Sequence, residues 1–221
     1  MPSVCSSDPE RSRRSAGERK VIIPPCAERG NILGKPAVFV DRDGTINEQM
    51  GYINHPSRFV IIPGVPEAIR LLNRNNYLVI IVSNQSGVAR GYFPIDLVHQ
   101  VHDLLSTALS ENDCAVDGIF FCPHHSRGIV PEYRRECDCR KPKTGLIEQA
   151  QKAFDIDMSN SYVVGDRYLD MELAHRLNIK GVLVKTGYGR GEIEHILPDK
   201  QQPAYIAEDL LHAAKWIVKG S

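Results

Sequence analysis

Two carboxylates two residues apart, Asp41 and Asp43, directly follow the short apolar run of residues 37–40. At this spacing one carboxylate can attack an electrophile while the other donates or accepts a proton. Gly44 comes next and allows the sharp turn that a chain makes where it leaves a strand. Asp and Gly are also common in ordinary surface turns, so this motif alone does not establish a catalytic site.

Further polar segments follow later in the chain, each at the expected end of a strand or start of a helix. Residues 83–85 (Ser-Asn-Gln) and 165–167 (Gly-Asp-Arg) end two predicted strands, and residues 140–141 (Arg-Lys) precede a predicted helix. Carboxylates suit magnesium, whereas hydroxyl, amide and lysine groups suit phosphate. The set predicts magnesium-dependent phosphate chemistry.

A second group of chemically active residues lies within residues 122–139. It comprises Cys122, His124, Cys137 and Cys139. Three thiolates and one imidazole make a closed tetrahedral set of the kind that holds structural zinc, and His125 is an alternative ligand. Such crowding favours metal binding over a disulfide framework. We therefore expect a zinc-stapled loop over residues 122–139.

Strand-like and helix-like segments alternate along most of the chain. Strands are predicted at residues 37–40, 77–82, 118–121, 162–164 and 181–184, and helices at 67–75, 96–111, 146–154, 170–178 and 207–218. This alternation predicts an α/β fold, a Rossmann-like three-layer sandwich with a central, mainly parallel sheet. Ligands of such sheets bind beyond the carboxyl ends of the strands, where Asp41, Ser83 and Asp166 are expected to meet.

Composition bounds the function classes. The chain has 27 basic and 27 acidic side chains, and this balance argues against a general nucleic-acid or membrane-surface binder. No run of about eighteen apolar residues is present, and no secretory signal can be identified at the N-terminus. We expect a cytoplasmic protein. Residues 1–34 are interpreted as a disordered or loosely packed extension, and residues 35–221 as a single domain.

The order of these motifs resembles that of the haloacid dehalogenase superfamily of phosphotransferases, over residues 36–190. The matching elements are Asp-x-Asp-Gly-Thr at 41–45, Ser83, Lys141 and Asp166 with a following acid. The resemblance implies that Asp41 is the nucleophile and forms an aspartyl-phosphate. It implies that Asp43 protonates the leaving oxygen and then activates water, so Asp43 should start protonated and have a perturbed pKa. Asp170 is expected to orient its neighbours.

The resemblance also implies a ligand set. Magnesium would be held by the Asp41 carboxylate, the Asp43 backbone carbonyl and Asp166. Ser83 and Lys141 would stabilise the transferring phosphoryl group. A phosphate dianion repels a carboxylate nucleophile, and the metal and the lysine would offset that charge.

The residues of the predicted zinc loop indicate which subgroup of the superfamily the chain resembles. Cys-Pro-His-His followed by Cys-Asp-Cys-Arg-Lys-Pro is similar to the histidinol-phosphate phosphatase-like subgroup, and the long gap between the two ligand pairs favours its heptose bisphosphate phosphatases. The resemblance implies removal of the 7-phosphate of D-glycero-D-manno-heptose 1,7-bisphosphate, in the synthesis of nucleotide-activated heptose for lipopolysaccharide. The alternatives are a histidinol-phosphate phosphatase and a non-catalytic, zinc-stapled phosphosugar-binding relative.

Substrate contacts are also implied by this resemblance. They are Gln49, Met50, Gly51, Tyr52, Ser83, Asn84, Gln85, Ser86, Arg140, Lys141 and Arg167. Arg140 would recognise the second phosphate or the sugar hydroxyls, because a guanidinium presents a fork of donors. The expected partner is a small phosphosugar, with no nucleic acid and no membrane, and the expected state is a monomer.

Overall fold

A computed structural model describes residues 34–194 and 202–220 of the chain. The extension predicted at residues 1–34 therefore lies outside the described residues except for Gly34, and the division into an extension and one domain stays a prediction. Among the described residues, no helix is both long enough and apolar enough to span a membrane.

One sheet of six strands forms the centre of the fold. The strands are β1 (Lys35–Val40), β2 (Leu78–Asn84), β3 (Gly118–Cys122), β4 (Ile156–Gly165), β5 (Lys180–Val184) and β6 (Tyr205–Ala207). Their order is β3-β2-β1-β4-β5-β6, and every adjacent pair is parallel. The predicted mainly parallel sheet is confirmed.

Helices cover both faces of the sheet. They are α1 (Val65–Arg74), α2 (Ile95–Ser110), α3 (Gly145–Ala153), α4 (Tyr168–Arg176), α5 (Gly189–Glu194) and α6 (Leu210–Val218), with a 3-10 turn at Pro56–Arg58. In β1, Val38 and Val40 pack into the core formed with α1, α2 and α6, whereas Ala37 and Phe39 pack into the core formed with α3 and α4. This alternation of side chains is the period-two pattern of a strand buried on both faces. The three-layer prediction is confirmed.

Two elements differ from the sequence prediction near the C-terminal end of the fold. Ala207, predicted to begin the last helix, instead ends β6, which pairs with β5. The helix begins at Leu210, and the Asp209 side chain caps it by accepting a hydrogen bond from the His212 amide at 2.9 Å. The α5 helix was not predicted either. A three-residue strand is too short to show periodicity, and the two glycines of α5 lower its helix propensity.

Parallel pairing places the polar strand ends at one edge. Val40 of β1 is in register with Ile81 of β2 and with Val164 of β4. The chain therefore leaves β1 at Asp41 beside the positions where β2 and β4 end. That edge carries the candidate functional site.

Candidate active site and metal centres

Lys141 links two carboxylates at this edge. Its ammonium lies 2.6 Å from Asp41 Oδ1 and 2.7 Å from Asp170 Oδ1, and all three side chains are buried. Burial raises the pKa of Asp41 to about 6, against the opposing effect of Lys141. Burial lowers the pKa of Lys141, but the two carboxylates outweigh it and hold that pKa above its usual range. The expected orienting role of Asp170 agrees with its contact with Lys141.

Asp166 completes a cluster of three buried acids. Carboxylate oxygens of Asp41, Asp166 and Asp170 lie within 4.8 Å of one another. The Tyr188 amide donates to Asp166 Oδ2 at 2.8 Å, whereas the buried Oδ1 has no hydrogen-bond partner among the described residues. Burial, with the charge of Asp41, raises the pKa of Asp166 to about 8. When ionised, the three acids carry more negative charge than the one lysine can balance. Their oxygens therefore suit a hard divalent cation such as magnesium.

A loop that follows β5 closes this pocket, and sequence reasoning missed it. Thr186 Oγ1 donates to the carbonyl of Gly44 at 2.6 Å, and Tyr188 supplies the amide that binds Asp166. Gly44 has φ +90°, and a Cβ there would overlap the Asp166 carboxylate. Both the backbone conformation and the close approach therefore require glycine. The signal in the sequence was the Thr-Gly-Tyr run at 186–188, separated by one residue from the end of a predicted strand.

Asp43 is held by a ring of donors. Arg42 Nη2 donates to both carboxylate oxygens at 2.8 Å, Asn47 donates to Oδ1 at 3.0 Å, and Gln85 donates to Oδ2 at 2.7 Å. Burial raises the pKa of Asp43, but the Arg42 charge and these hydrogen bonds outweigh it, so the pKa is lowered. The sequence predicted an Asp43 that starts protonated. The pKa is perturbed, but in the opposite direction, because the neighbouring guanidinium favours the carboxylate.

The last two residues of β2 have different hydrogen-bond partners. Ser83 is buried, and its Oγ accepts a hydrogen bond from Gln85 at 2.8 Å. Asn84 donates to the Lys141 carbonyl at 3.1 Å and accepts from the Lys141 amide at 3.0 Å. Both ends of the Asn84 amide are thus engaged with the backbone of Lys141. Asn84, expected to contact substrate, thus bonds to the protein backbone beside the lysine, and its substrate contact stays a prediction, as does that of the buried Ser86.

The loop that follows Asp43 carries four of the expected substrate contacts. Gln49 donates to the Asp43 carbonyl at 3.5 Å and accepts from the Gly51 amide at 2.9 Å. Met50 and Tyr52 are partly exposed, and the Tyr52 ring packs edge-on against a neighbouring tyrosine ring, with 4.7 Å between centroids. The loop thus begins at the site and presents its middle to solvent.

The two arginines expected to contact substrate have different surroundings. Arg140 and Lys141 line a cleft of about 300 Å³, and the buried Nη1 of Arg140 has no partner among the described residues. Arg167 is about half exposed, lies 3.5 Å from Glu192 and sits over the Tyr188 ring. Arg140 therefore has donor capacity free for a ligand, whereas the Arg167 side chain already has protein partners.

The four predicted zinc ligands come together in the loop after β3. Cys137 Sγ lies 3.4 Å from Cys122 Sγ and 3.3 Å from Cys139 Sγ, and His124 Nδ1 lies 3.3 Å from Cys139 Sγ. The hydrogen bond from Cys122 and the adjacent imidazole outweigh burial and lower the pKa of Cys139 to about 5. The same pairing raises the pKa of Cys122. Three sulfur donors and one nitrogen within 4.8 Å fit zinc.

His125, the alternative ligand, is engaged elsewhere. Its Nε2 lies 3.0 Å from Arg90 Nη2, and its Nδ1 accepts a hydrogen bond from the Arg127 amide at 3.0 Å. The structure thus brings His124, rather than its neighbour, to the thiols.

Comparisons with known proteins identify the family to which the chain is similar. A family model described as polynucleotide kinase 3 phosphatase matches residues 38–175, and one described as HAD-hydrolase-like matches residues 138–213. The structure of the D,D-heptose 1,7-bisphosphate phosphatase from B. bronchiseptica, complexed with magnesium and phosphate, superposes with a TM-score of 0.75 at 29% identity. The match covers 84% of this chain and 99% of that one.

Curated relatives are closer in sequence. The D-glycero-D-manno-heptose-1,7-bisphosphate 7-phosphatase of Thermosynechococcus vestitus is 43% identical, over 84% of this chain and 96% of its own. The D-glycero-beta-D-manno-heptose-1,7-bisphosphate 7-phosphatase of Pasteurella multocida is 42% identical, over 84% and 98%. This chain therefore belongs to the haloacid dehalogenase-like phosphatases and, within them, to the D-glycero-D-manno-heptose-1,7-bisphosphate 7-phosphatase family.

Proposed function

We propose that this chain removes the 7-phosphate of D-glycero-D-manno-heptose 1,7-bisphosphate by magnesium-dependent hydrolysis through an aspartyl-phosphate. The observation that carries the proposal is the Asp41 carboxylate, held 2.6 Å from the Lys141 ammonium beside the unpartnered oxygen of Asp166. The relatives named for this reaction support the substrate.

The first step is phosphoryl transfer to Asp41. An Asp41 carboxylate oxygen attacks phosphorus, the bond to the sugar oxygen breaks, and Asp43 gives its proton to that oxygen. Lys141 and the Ser83 hydroxyl stabilise the charge on the transferring group. The resting Asp43 is ionised, because its pKa is lowered. The negative charge of a phosphate bound next to it raises that pKa, so Asp43 takes up a proton from solvent before this step.

The second step is hydrolysis of the aspartyl-phosphate. Asp43, now a carboxylate, accepts a proton from a water molecule that attacks phosphorus, and the bond to Asp41 breaks. Inorganic phosphate leaves and Asp41 is restored. The Arg42 contact favours the carboxylate form of Asp43 that this second step uses.

The residues that would hold magnesium are the Asp41 carboxylate, the Asp43 backbone carbonyl and Asp166. When bound, the ion supplies positive charge that offsets repulsion between the phosphate dianion and the nucleophile. The three clustered carboxylates, one with an unpartnered oxygen, support this assignment. The cysteine cluster would hold a structural zinc, because a fourth donor leaves no open position for chemistry.

Specificity for a bisphosphate would come from Arg140. Its free Nη1 and its place in the cleft beside Lys141 support contact with the second phosphate or with sugar hydroxyls. The loop of residues 49–52, together with Ser86, would contact the sugar. Arg167 would reach the substrate only by leaving Glu192 and Tyr188, so we expect a smaller contribution from it.

We infer that the enzyme acts as a monomer in the cytoplasm. All the proposed catalytic groups come from one chain, which supports a monomer, and a cluster of three zinc-binding thiolates is stable in a reducing compartment. Lipopolysaccharide precursor synthesis is the setting that its family suggests.

The test is phosphate release in magnesium buffer from the α and β anomers of heptose 1,7-bisphosphate, from histidinol phosphate and from an oligonucleotide 3′-phosphate. We expect a heptose bisphosphate to be the preferred substrate, and Asp41→Asn to lower turnover by about 10⁴-fold or more. Preference for histidinol phosphate or for the oligonucleotide would contradict the substrate and keep the mechanism. Tight phosphosugar binding without turnover by the wild type would identify a non-catalytic relative.

A further inference from the structure

Arg42 follows Asp41 in the sequence, but its side chain is buried, with only 2% of its surface exposed. The guanidinium holds the Asp43 carboxylate through Nη2, 2.8 Å from each oxygen, with Nε 3.3 Å from Oδ1. A buried guanidinium is costly unless its donors are paired. Its outer nitrogen Nη1 lies 3.3 Å from Nε2 of His102.

His102 comes from a distant part of the chain. It lies on α2, is 8% exposed, and packs edge-on against the Phe121 ring, with 5.3 Å between centroids. A guanidinium can only donate, so Nε2 must accept and the neutral ring carries its proton on Nδ1. Burial and the Arg42 charge lower the pKa of His102 to about 3, in agreement with a neutral ring.

The other contacts of Asp43 come from nearer the site. Asn47 lies four residues along the same loop, and Gln85 lies just after β2. Arg42 connects the Asp43 carboxylate to α2, because its guanidinium also contacts His102 on that helix. Because the Arg42 fork engages both oxygens, it fixes the plane of the carboxylate as well as its position.

We propose that Arg42 and His102 are positioning residues for Asp43: His102 holds the Arg42 guanidinium, and the guanidinium orients the carboxylate toward the leaving oxygen. The inference rests on the proposed phosphatase function and deepens it. Loss of the Arg42–His102 contact should therefore lower kcat/KM most for substrates whose leaving group needs a proton. A sugar alkoxide needs one, whereas p-nitrophenolate leaves without it.

The test compares kcat/KM for heptose 1,7-bisphosphate and for p-nitrophenyl phosphate, since kcat/KM reports the steps through departure of the leaving group. His102→Phe keeps a ring against Phe121 but removes the acceptor, whereas His102→Gln keeps an acceptor. We expect His102→Phe to lose about tenfold on the sugar and less than about twofold on p-nitrophenyl phosphate. His102→Gln should recover to within about threefold of the wild type on the sugar.

Equal losses on both substrates, or no recovery with His102→Gln, would overturn the positioning role. A second measurement does not depend on turnover: ¹⁵N NMR of the His102 ring at pH 7 should show a neutral imidazole with the proton on Nδ1, and a protonated ring would overturn it. A wild type that cleaves p-nitrophenyl phosphate but not the heptose would contradict the proposed substrate alone. Glycerol 3-phosphate would then serve as the alkyl substrate for the same comparison.

Discussion

The carboxylate site (Asp41, Lys141, Asp166 and Asp170) and the cysteine cluster (Cys122, His124, Cys137 and Cys139) are held in different ways. Three groups of the carboxylate site are fixed by the ends of β1 and β4 and the first turn of α4. In the cysteine cluster only Cys122 belongs to a strand, and no helix or strand is described over residues 123–139.

The two sites also balance charge differently. Lys141 lies between two carboxylates and offsets part of their repulsion, so the oxygen donors are assembled by the fold itself. The thiols have no such cation at hydrogen-bond distance of their sulfurs among the described residues, and a bound metal is what would hold them. The cluster leads directly into Arg140 and Lys141. A metal there would therefore stabilise the loop that delivers the site's lysine.

Lys141→Met is expected to have the largest effect on turnover and on stability, because it leaves the buried carboxylates without their cation. We expect turnover to fall by about 10²- to 10³-fold. In magnesium-free buffer the free energy of unfolding should fall by about 3 kcal/mol, with partial recovery on adding magnesium. Phosphate release and urea unfolding measure these.

Lys143→Met is the matched control for that variant. Within residues 34–194 and 202–220 the one ion pair of Lys143 is with the exposed Asp138, 3.2 Å away, so its loss should change the free energy of unfolding by less than about 0.5 kcal/mol. Equal stability of the two variants without magnesium would show that Lys141 does not balance the buried carboxylates.

In the cysteine cluster we expect a substitution to act mainly on zinc binding and stability, and less on turnover. Cys137→Ser is expected to weaken zinc binding by about 100-fold and to lower the free energy of unfolding by more than about 2 kcal/mol, because the loop loses its cross-link. Activity per folded molecule should fall less than it does in Lys141→Met. Metal analysis, which should find about one zinc per wild-type chain, thermal unfolding and turnover are the measurements.

Cys114→Ser provides the comparison for Cys137→Ser, because Cys114 is buried but lies outside the cluster and donates to the Leu109 carbonyl. It should retain zinc fully. A wild type without zinc, or a Cys137→Ser protein that keeps it, would rule out the structural metal site.

Magnesium affinity should depend on pH through the carboxylate site. Burial raises the pKa of Asp41 to about 6 and that of Asp166 to about 8 in the ion-free protein, so protons compete with the cation. We expect affinity to rise between pH 6 and 8 by up to about tenfold per unit, with proton release. Calorimetry in two buffers of different ionisation enthalpy measures both quantities, and pH-independent binding would contradict the assignment.

The same groups predict the pH dependence of stability without magnesium. Their pKa values are raised on folding, so between about pH 4 and 8 the folded state holds protons that the unfolded chain has already released. Their contribution to stability is therefore present at low pH and is lost as pH rises through the folded pKa values. Urea unfolding of the zinc-loaded protein in magnesium-free buffer should show it, and saturating magnesium should reduce it.

The smallest expected effect is that of His125→Ala on zinc affinity, which we compare with that of His124→Ala. His124→Ala should weaken zinc binding, because it removes the nitrogen 3.3 Å from Cys139 Sγ. His125→Ala should leave zinc affinity within about twofold of the wild type, because its ring contacts Arg90 and the Arg127 amide. Titration with a zinc chelator measures both, and the reverse order would reassign the ligand.

Much of the fold could be predicted because its signals are local. The apolar strands and amphipathic helices have periodic patterns, and parallel pairing then brings Asp41 and Asp166 to one edge. The short β6 strand and α5 helix carry no such pattern. The β6 strand forms through its parallel pairing with β5, a contact between separate elements.

The sequence by itself determined the α/β architecture, the residue types of the carboxylate site and the spacing of the cysteine ligands, because all of these depend on the periodicity of apolar residues and on residues close together in the chain. Only the tertiary structure decided which atoms meet. It placed His102 on Arg42 across sixty residues and directed Asn84 to the Lys141 backbone. It also lowered the pKa of Asp43, because side-chain contacts and burial depend on packing between elements that no local pattern specifies.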